Sequence, residues 1–227
     1  MASDIREHTT DRLSVLSRVE YGSKIIPEEP RKRINDGEDL DFFLTSRAYV
    51  DISTFLRQLD YAMFPAVTQG EIPRPWPTQS VHVIQSPQVI RIKVLIQTLS
   101  SILKDTPPQT GPRRFGNAAF REWYQKVEAR TPALMQQAMP ENVFHHVSAE
   151  HQDLLKKELG SYFLGSFGSS ERLDYGTGHE LSFLAFLACV WRLNGFAPSE
   201  KGSEERGIVI GIIDPYVVLL VDVFCKY

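Results

Sequence analysis

Apolar residues return at helical rather than strand spacing through most of this chain. Between residues 39 and 62, Phe42, Phe43, Tyr49, Ile52, Phe55, Leu56 and Leu59 recur largely at steps of three and four. That spacing predicts one amphipathic helix, ended by Pro65. A second run, 87–103, sets Val89, Ile92, Leu95, Ile96 and Leu99 on one face. It stops at Asp105-Thr106-Pro107-Pro108, because prolines supply no N–H and clash with the preceding turn. Phe120, Trp123 and Tyr124 mark a helix over 118–127, with Phe120 and Trp123 read as core. Two more helical stretches are predicted over 131–139 and 150–164, bounded by Pro132 and Pro140. Strand signals are few before Gly207 and no internal repeat is present, so the fold class is all-α.

Between these runs the polar pattern predicts connections. Residues 1–24 read as a flexible or weakly helical leader, and 25–33 as a turn-rich link through Pro27, Pro30 and Arg31-Lys32-Arg33. The segment 66–80 is rich in Pro, Thr, Gln and Gly, with Trp76 expected to pack onto a neighbouring helix. Residues 207–225 are almost continuously Ile, Val and Leu, close to the length of a membrane span. Asp214, Pro215 and Asp222 inside that run make a membrane role unfavourable. A core helix interrupted at Pro215 is the favoured reading, and the β-branched content also permits two short buried strands.

Composition narrows the class. At 227 residues, 42% apolar and 23% charged, the chain is globular and long enough for one domain, with room for two lobes. A net charge of −3 gives no reason to expect nucleic acid. Cys189 and Cys225 both lie in apolar sequence, which points to a reducing compartment rather than a disulfide framework. Residues 1–18 carry no apolar stretch of the signal-peptide kind, so a cytoplasmic or nuclear location is expected.

The densest chemistry lies in Arg172-Leu173-Asp174-Tyr175-Gly176-Thr177-Gly178-His179-Glu180, directly before the apolar run 181–191. Glycines let backbone approach a ligand, the first N–H groups of a helix attract anions, and Thr177 can cap the helix. A Gly/Thr cap satisfied locally is the alternative. No Gly-Lys-Ser/Thr phosphate loop, full dinucleotide fingerprint, zinc spacing or nucleophile elbow is present. His145, His146 and His151 read as exposed residues near a helix start, and His179-Glu180 is half a zincin motif with Phe183 in place of the second histidine. What remains suits anion and peptide contacts. Arg113, Arg114 and Arg172 offer guanidinium forks, Asp174 and Glu180 could hold a divalent metal or fix those arginines, and Tyr175, Phe115 and Trp123 could form an aromatic wall.

Residues 114–123 and Ser166-Phe167-Gly168 through His179-Glu180 resemble the phosphotyrosyl phosphatase activator family. Weaker agreement appears at Ile25-Ile26-Pro27, Ser46-Arg47-Ala48-Tyr49 and residues 105–108, in the right order over about residues 25–200. The resemblance is closest to the fungal branch. It implies a helical fold with core and lid lobes and a cleft between them. It also implies an activator of serine/threonine protein phosphatase 2A, classed as a peptidyl-prolyl cis-trans isomerase. The implied partners are the phosphatase catalytic subunit and a proline-containing peptide segment, and the implied cofactors are ATP and Mg2+. Carried over by motif, Arg172, Thr177 and Gly178 would contact nucleotide, and Asp174 and Tyr175 would serve catalysis. Arg114, Phe115, Asn117, His179 and Glu180 would line the substrate or partner cleft.

Isomerisation asks little of the side chains. The amide barrier of roughly 18–20 kcal/mol falls when a dry cleft binds the twisted amide, so no triad is required. The chain departs from the family pattern after about Arg206. The expected organisation is therefore a leader over 1–24, a phosphatase-activator-like helical domain over 25–206, and a divergent apolar segment over 207–227. The glycine and aspartate that would hold Mg2+ are expected to be missing, together with a C-terminal part of the fold. That departure leaves two alternatives open, a non-catalytic phosphatase-binding module and an inactive truncated fragment.

Overall fold

A computed structural model of the chain describes residues 14–65, 76, 83–110, 117–171, 176, 178–198 and 202–227. Its helices are α1 Gly37–Leu44, α2 Arg47–Ala62, α3 Pro87–Lys104, α4 Ala119–Ala138, α5 Glu141–Phe144, α6 Gln152–Gly165, α7 Gly178–Arg192, α8 Ser203–Ile208 and α9 Asp214–Lys226. A 3-10 turn, Ala149–His151, leads into α6, and a π-helical turn, Val209–Ile213, joins α8 to α9. Among the described residues there is no β-strand, and the all-α expectation holds.

The helix predicted over 39–62 is two helices. Ser46 adopts an extended backbone and its hydroxyl accepts from the Tyr49 N–H at 3.2 Å, so it caps α2 and ends the continuity. The opposite change occurs at Pro132, where two predicted stretches are one helix. Proline in a helix interior costs about 3 kcal/mol. Here Thr131, Leu134, Met135 and Ala138 are buried on the same helix, and burying each large apolar side chain returns about 1.5–3 kcal/mol. Packing outweighs the lost hydrogen bond. Phe120 and Trp123 are core residues as read, 4% and 0% exposed.

Residues 207–227 join the same core, with no break at Pro215 and no strands. Pro215 has no N–H, and in a regular helix its ring would press on the carbonyl of Gly211, four residues back. The π turn over 209–213 widens the helix there and lets the chain continue into α9. Glycine at 211 is required for a second reason: a Cβ there would lie 2.5 Å from Val89 Cγ1 of α3. The run 203–226 is long and apolar enough to cross a membrane, yet Tyr216, Leu219, Leu220 and Val223 are buried against the protein.

The leader also differs from expectation. Residues 1–13 lie outside the described residues, but 14–25 form an extended strap fixed to three parts of the fold. The Leu16 N–H donates to Gln58 Oε1 at 2.9 Å, Trp191 Nε1 donates to the Leu16 carbonyl at 2.9 Å, and the Ile25 N–H donates to the His146 carbonyl at 2.7 Å. His146, expected at the surface, is 2% exposed. Its Nδ1 faces the Ser23 carbonyl and its Nε2 the Asn194 amide, which sets the neutral tautomer with the proton on Nδ1. Trp76 packs on the Arg206 guanidinium, 4.6 Å from ring centre, and donates to the Phe64 carbonyl at 3.3 Å. Cys189 and Cys225 are free thiols; Cys225 is exposed rather than buried.

Candidate ligand cleft at the start of α7

The start of α7 is positioned from below by the turn that ends α6. His179 Nδ1 lies 2.5 Å from the Gly165 carbonyl, so that nitrogen is the donor, and the His179 N–H donates to the Gly176 carbonyl at 3.0 Å. The Ser166 hydroxyl bonds the Phe163 carbonyl at 2.6 Å, and the Ser166 carbonyl accepts the Tyr216 hydroxyl at 2.7 Å. Phe167 is fully buried among Trp123, Phe163 and Tyr216. The Arg121 Nε then holds the Ser170 carbonyl at 3.0 Å. These contacts tie residues 165–170 to the core beneath the start of α7.

Among the described residues, no atom lies within 4 Å of where a Cβ would sit on Gly176 or Gly178. Gly178, Leu181 and Ser182 of α7 form one wall of a cleft of about 740 Å³. The arm around Ile26 to Ile34 forms another wall, Asp39, Phe42 and Phe43 of α1 with Ala48 and Ile52 of α2 a third, and Glu158 and Tyr162 of α6 a fourth; Glu28, Glu29, Asp39 and Glu158 bring carboxylates to the hollow, and Arg31 and Arg33 bring guanidinium groups. Burial pushes the Tyr162 phenol up to about 12, with the neighbouring Cys189 and Glu158 adding to the effect. Burial also raises Glu158 above the usual carboxylate range, although the Glu28 N–H donates to its Oε2 at 3.1 Å. Tyr162 therefore remains a neutral hydrogen-bond donor across the physiological range. At the rim, Arg33 pairs with Glu28 at 2.8 Å.

The residues expected to carry chemistry divide in two. Arg114, Phe115, Arg172, Asp174, Tyr175 and Thr177 lie outside the described residues, as does Arg113. Of the rest, Gly178 lines the cleft, Glu180 is exposed, and His179 is committed to the turn below. Asn117, expected to face the cleft, instead works inside the fold. It is 4% exposed, its Oδ1 accepts from the N–H groups of Gln109 and Ala119, and its Nδ2 donates to the Gln109 carbonyl. Tyr162, Glu158 and Phe43 are cleft residues that sequence reading did not single out. The available signal was the arm with Pro27 and Pro30, read only as a connection.

Among the described residues no group of three or more His, Cys, Asp or Glu is placed to hold a metal ion. The cleft offers apolar surface from Ile26, Phe43 and Leu181, a neutral phenol, and a mixed-charge lining of carboxylates and arginines.

Comparison with known proteins shows the family and the fold. The sequence profile of the family described as "Phosphotyrosyl phosphate activator (PTPA) protein" matches residues 30–227. The chain belongs to the phosphotyrosyl phosphatase activator family. It is 47% identical over 199 residues to "Serine/threonine-protein phosphatase 2A activator 1" of Aspergillus fumigatus, covering 87% of this chain and 42% of that protein. It is 42% identical over 219 residues to the protein of the same name from Emericella nidulans, covering 96% of this chain and 51% of that one. A crystal structure of the PP2A phosphatase activator Ypa1 superposes with a TM-score of 0.70 at 28% identity, covering 93% of this chain and 61% of that one. The chain thus spans about half the length of the curated relatives it matches. The family profile runs through the π turn and α9.

Proposed function

We propose that this chain is an activator of serine/threonine protein phosphatase 2A that assists the phosphatase catalytic subunit to its active form, in the manner its relatives' names describe. The observation that carries this reading is the cleft lined by Gly178, Leu181, Phe43 and Tyr162, lying at the start of the helix that bears the family's motif. Supporting it, the motif helix is held by a rigid turn while its glycines stand open. Among the described residues no side chain crowds that backbone, so a partner segment could approach it.

The same cleft suits peptidyl-prolyl cis-trans isomerisation of a proline-containing segment. Apolar walls would hold the proline ring and exclude water, and the neutral Tyr162 hydroxyl can donate to the carbonyl of the rotating amide. Binding the twisted amide more tightly than the planar one lowers a barrier of roughly 18–20 kcal/mol without covalent chemistry. Asp174 and Tyr175 belong to this proposed machinery.

ATP fits the donor chemistry as far as Gly178, whose open backbone begins α7. Arg172 would pair with phosphate, and the Thr177-Gly178 backbone would donate N–H groups to it. Bound nucleotide with Mg2+ would supply the charge that assists metal uptake by the phosphatase subunit. The reading further places the chain in the cytoplasm or nucleus, where such a phosphatase subunit would be met.

The deciding experiment mixes the purified chain with inactive phosphatase 2A catalytic subunit, ATP and Mg2+, and follows release of phosphate from a phosphoserine peptide. Recovery of activity that depends on the chain is expected. Phosphate release no faster than with the catalytic subunit alone would remove the proposal. A parallel proline-peptide isomerisation assay tests the catalytic half separately.

A further inference from the structure

Glu158 and Tyr162 stand one turn apart on α6, and both line the α7 cleft. Residues four apart on a helix set their Cβ atoms about 5–6 Å from each other on one face. Glu158 Oε2 is used inside the fold, where it accepts the Glu28 N–H at 3.1 Å and ties the arm to α6. Its Oε1 and the Tyr162 hydroxyl have no partner among the described residues, and neither atom is sealed from solvent. The hollow therefore presents one free carboxylate oxygen and one free phenol at a set spacing.

Glu158 is also the lining carboxylate that the fold leaves without a cation. Arg33 pairs with Glu28 at 2.8 Å, and Asp39 accepts the Asn35 N–H at 2.9 Å at the head of α1. Glu29 and Arg31 are exposed on the arm. Among the described residues no lysine or arginine forms an ion pair with Glu158. The half-buried carboxyl is raised above its usual range by loss of water, and the Glu28 carboxylate adds to the rise. A cation brought into the hollow relieves both effects.

The spacing says which part of a ligand carries that cation. In the proposed isomerisation the Tyr162 hydroxyl donates to the carbonyl of the residue before the proline. The side chain of that same residue leaves from the adjoining carbon. A lysine stem, five bonds of about 1.5 Å each, covers roughly the 5.4 Å rise of the helical turn between Tyr162 and Glu158.

We propose, building on that isomerisation, that Glu158 selects the residue before the proline and that the preferred segments are Lys-Pro and Arg-Pro. Glu158 Oε1 receives the ammonium or guanidinium group while the Tyr162 hydroxyl holds the carbonyl of the same residue. Phe43 and Leu181 give apolar cover for the proline ring. An Asp or Glu before the proline meets Glu158 and Glu28 and is rejected. Glu158 sets specificity and takes no part in the bond rotation.

The test uses the full chain and the peptide acetyl-Ala-Xaa-Pro-Phe amide, with Xaa as Lys, norleucine or Glu. Norleucine keeps the stem of lysine without its charge. Affinity is read by calorimetry and cis-trans exchange by NMR. The Lys peptide should bind about tenfold more tightly than the norleucine peptide, and the Glu peptide more weakly than either. The ratio of Lys to norleucine affinity should shrink at about 1 M salt. Glu158→Gln keeps an acceptor for the Glu28 N–H and should bring that ratio to within about twofold of one. Glu158→Lys should reverse the order in favour of the Glu peptide. Circular dichroism melts report whether each variant folds, and the wild-type ratio decides without them.

Equal affinity for the Lys and norleucine peptides in wild type, or a Lys preference that survives in folded Glu158→Gln, would overturn the proposal. Equal acceleration of all three peptides would do the same while leaving isomerisation in place. Lys-selective binding without faster exchange would keep the selection by Glu158 and remove the isomerisation instead. Binding of none of the three would remove both.

Discussion

The hydroxyl of Tyr216 donates to the carbonyl of Ser166 at 2.7 Å, while the Tyr216 ring lies nearly parallel to Phe183 with 3.7 Å between centroids. One side chain of α9 thereby grips both the turn after α6 and the helix that carries the motif. The Gly165 carbonyl next to that turn is the one that fixes His179. The C-terminal helix is thus part of the support for the α7 cleft.

Tyr216→Phe keeps the stacking and removes the hydroxyl, leaving the Ser166 carbonyl buried without its donor. A loss of about 1–3 kcal/mol in unfolding free energy is expected, from urea titration monitored by circular dichroism. Hydrogen exchange should speed up first at residues 165–168. Unchanged stability would mean that the turn is held by its aromatic packing alone.

Gly211 tests the close passage of the π turn over α3. In Gly211→Ala the new methyl carbon would lie 2.5 Å from Val89 Cγ1 and 3.2 Å from Gln85 Cδ, so the two helices must separate. Overpacking of this kind costs about 1–3 kcal/mol. Combining it with Val89→Ala relieves the clash, so the double variant should lose less than the sum of the two single losses.

Glu204 supplies a pH dependence. Burial raises its carboxyl above the usual range, against the opposing effect of the Ser86 hydroxyl, the Ala197 N–H and Arg18. A raised folded value means that the native state binds the proton more readily than the unfolded chain does. Its contribution is then most favourable below the ordinary carboxylate value and is lost as pH rises through the raised one. Glu204→Gln keeps an acceptor for Ser86 and Ala197 without the buried charge. It should be more stable than wild type at neutral pH and should flatten the decline in stability across that window, measured by urea unfolding at a series of pH values.

Much of the fold could be read from spacing alone. The apolar steps of 87–103 and the prolines after it gave α3 within a residue, because an amphipathic face and a strong breaker are both local signals. The failures were tertiary. Pro132 lies inside α4 because buried neighbours outweigh its local cost, and Pro215 is carried by a π turn whose fit depends on Val89 of another helix. At the candidate site, the motif ahead of Leu181 runs into the start of α7, where Gly178 lines the cleft. Tyr162 and Phe43 were invisible because nothing in their own segments says that α6 and α1 meet α7 across one hollow. Asn117 sat in a family motif yet serves the backbone on either side of it.

The two thiols should differ sharply in reactivity. Burial pushes Cys189 up to about 12, with Glu158 and Asp51 adding to the rise and Arg192 opposing it. Cys225 is exposed on α9. Since the thiolate is the nucleophile, iodoacetamide at pH 8 should label exposed Cys225 well before Cys189, which is half-buried on α7. Peptide mass spectrometry of native and urea-treated protein would show it, and native labelling of Cys189 as fast as that of Cys225 would contradict the raised thiol.

Leu181 offers the cleanest probe of the α7 cleft because it lines the hollow while remaining 41% exposed. Leu181→Glu places a carboxylate on an apolar wall without opening a cavity in the core, so the melting temperature should stay within a few degrees of wild type. If the cleft receives a proline-containing segment of the phosphatase, the charge must be desolvated when that segment binds. Desolvating one more carboxylate in a hollow already lined by Glu28, Glu29, Asp39 and Glu158 is costly enough that phosphatase activation and proline isomerisation should each fall by about tenfold or more. Ile90→Glu, equally exposed on α3 and outside that cleft, is the control and should leave both activities unchanged. A Leu181→Glu protein that activates the phosphatase as well as wild type would place the partner surface elsewhere on the molecule.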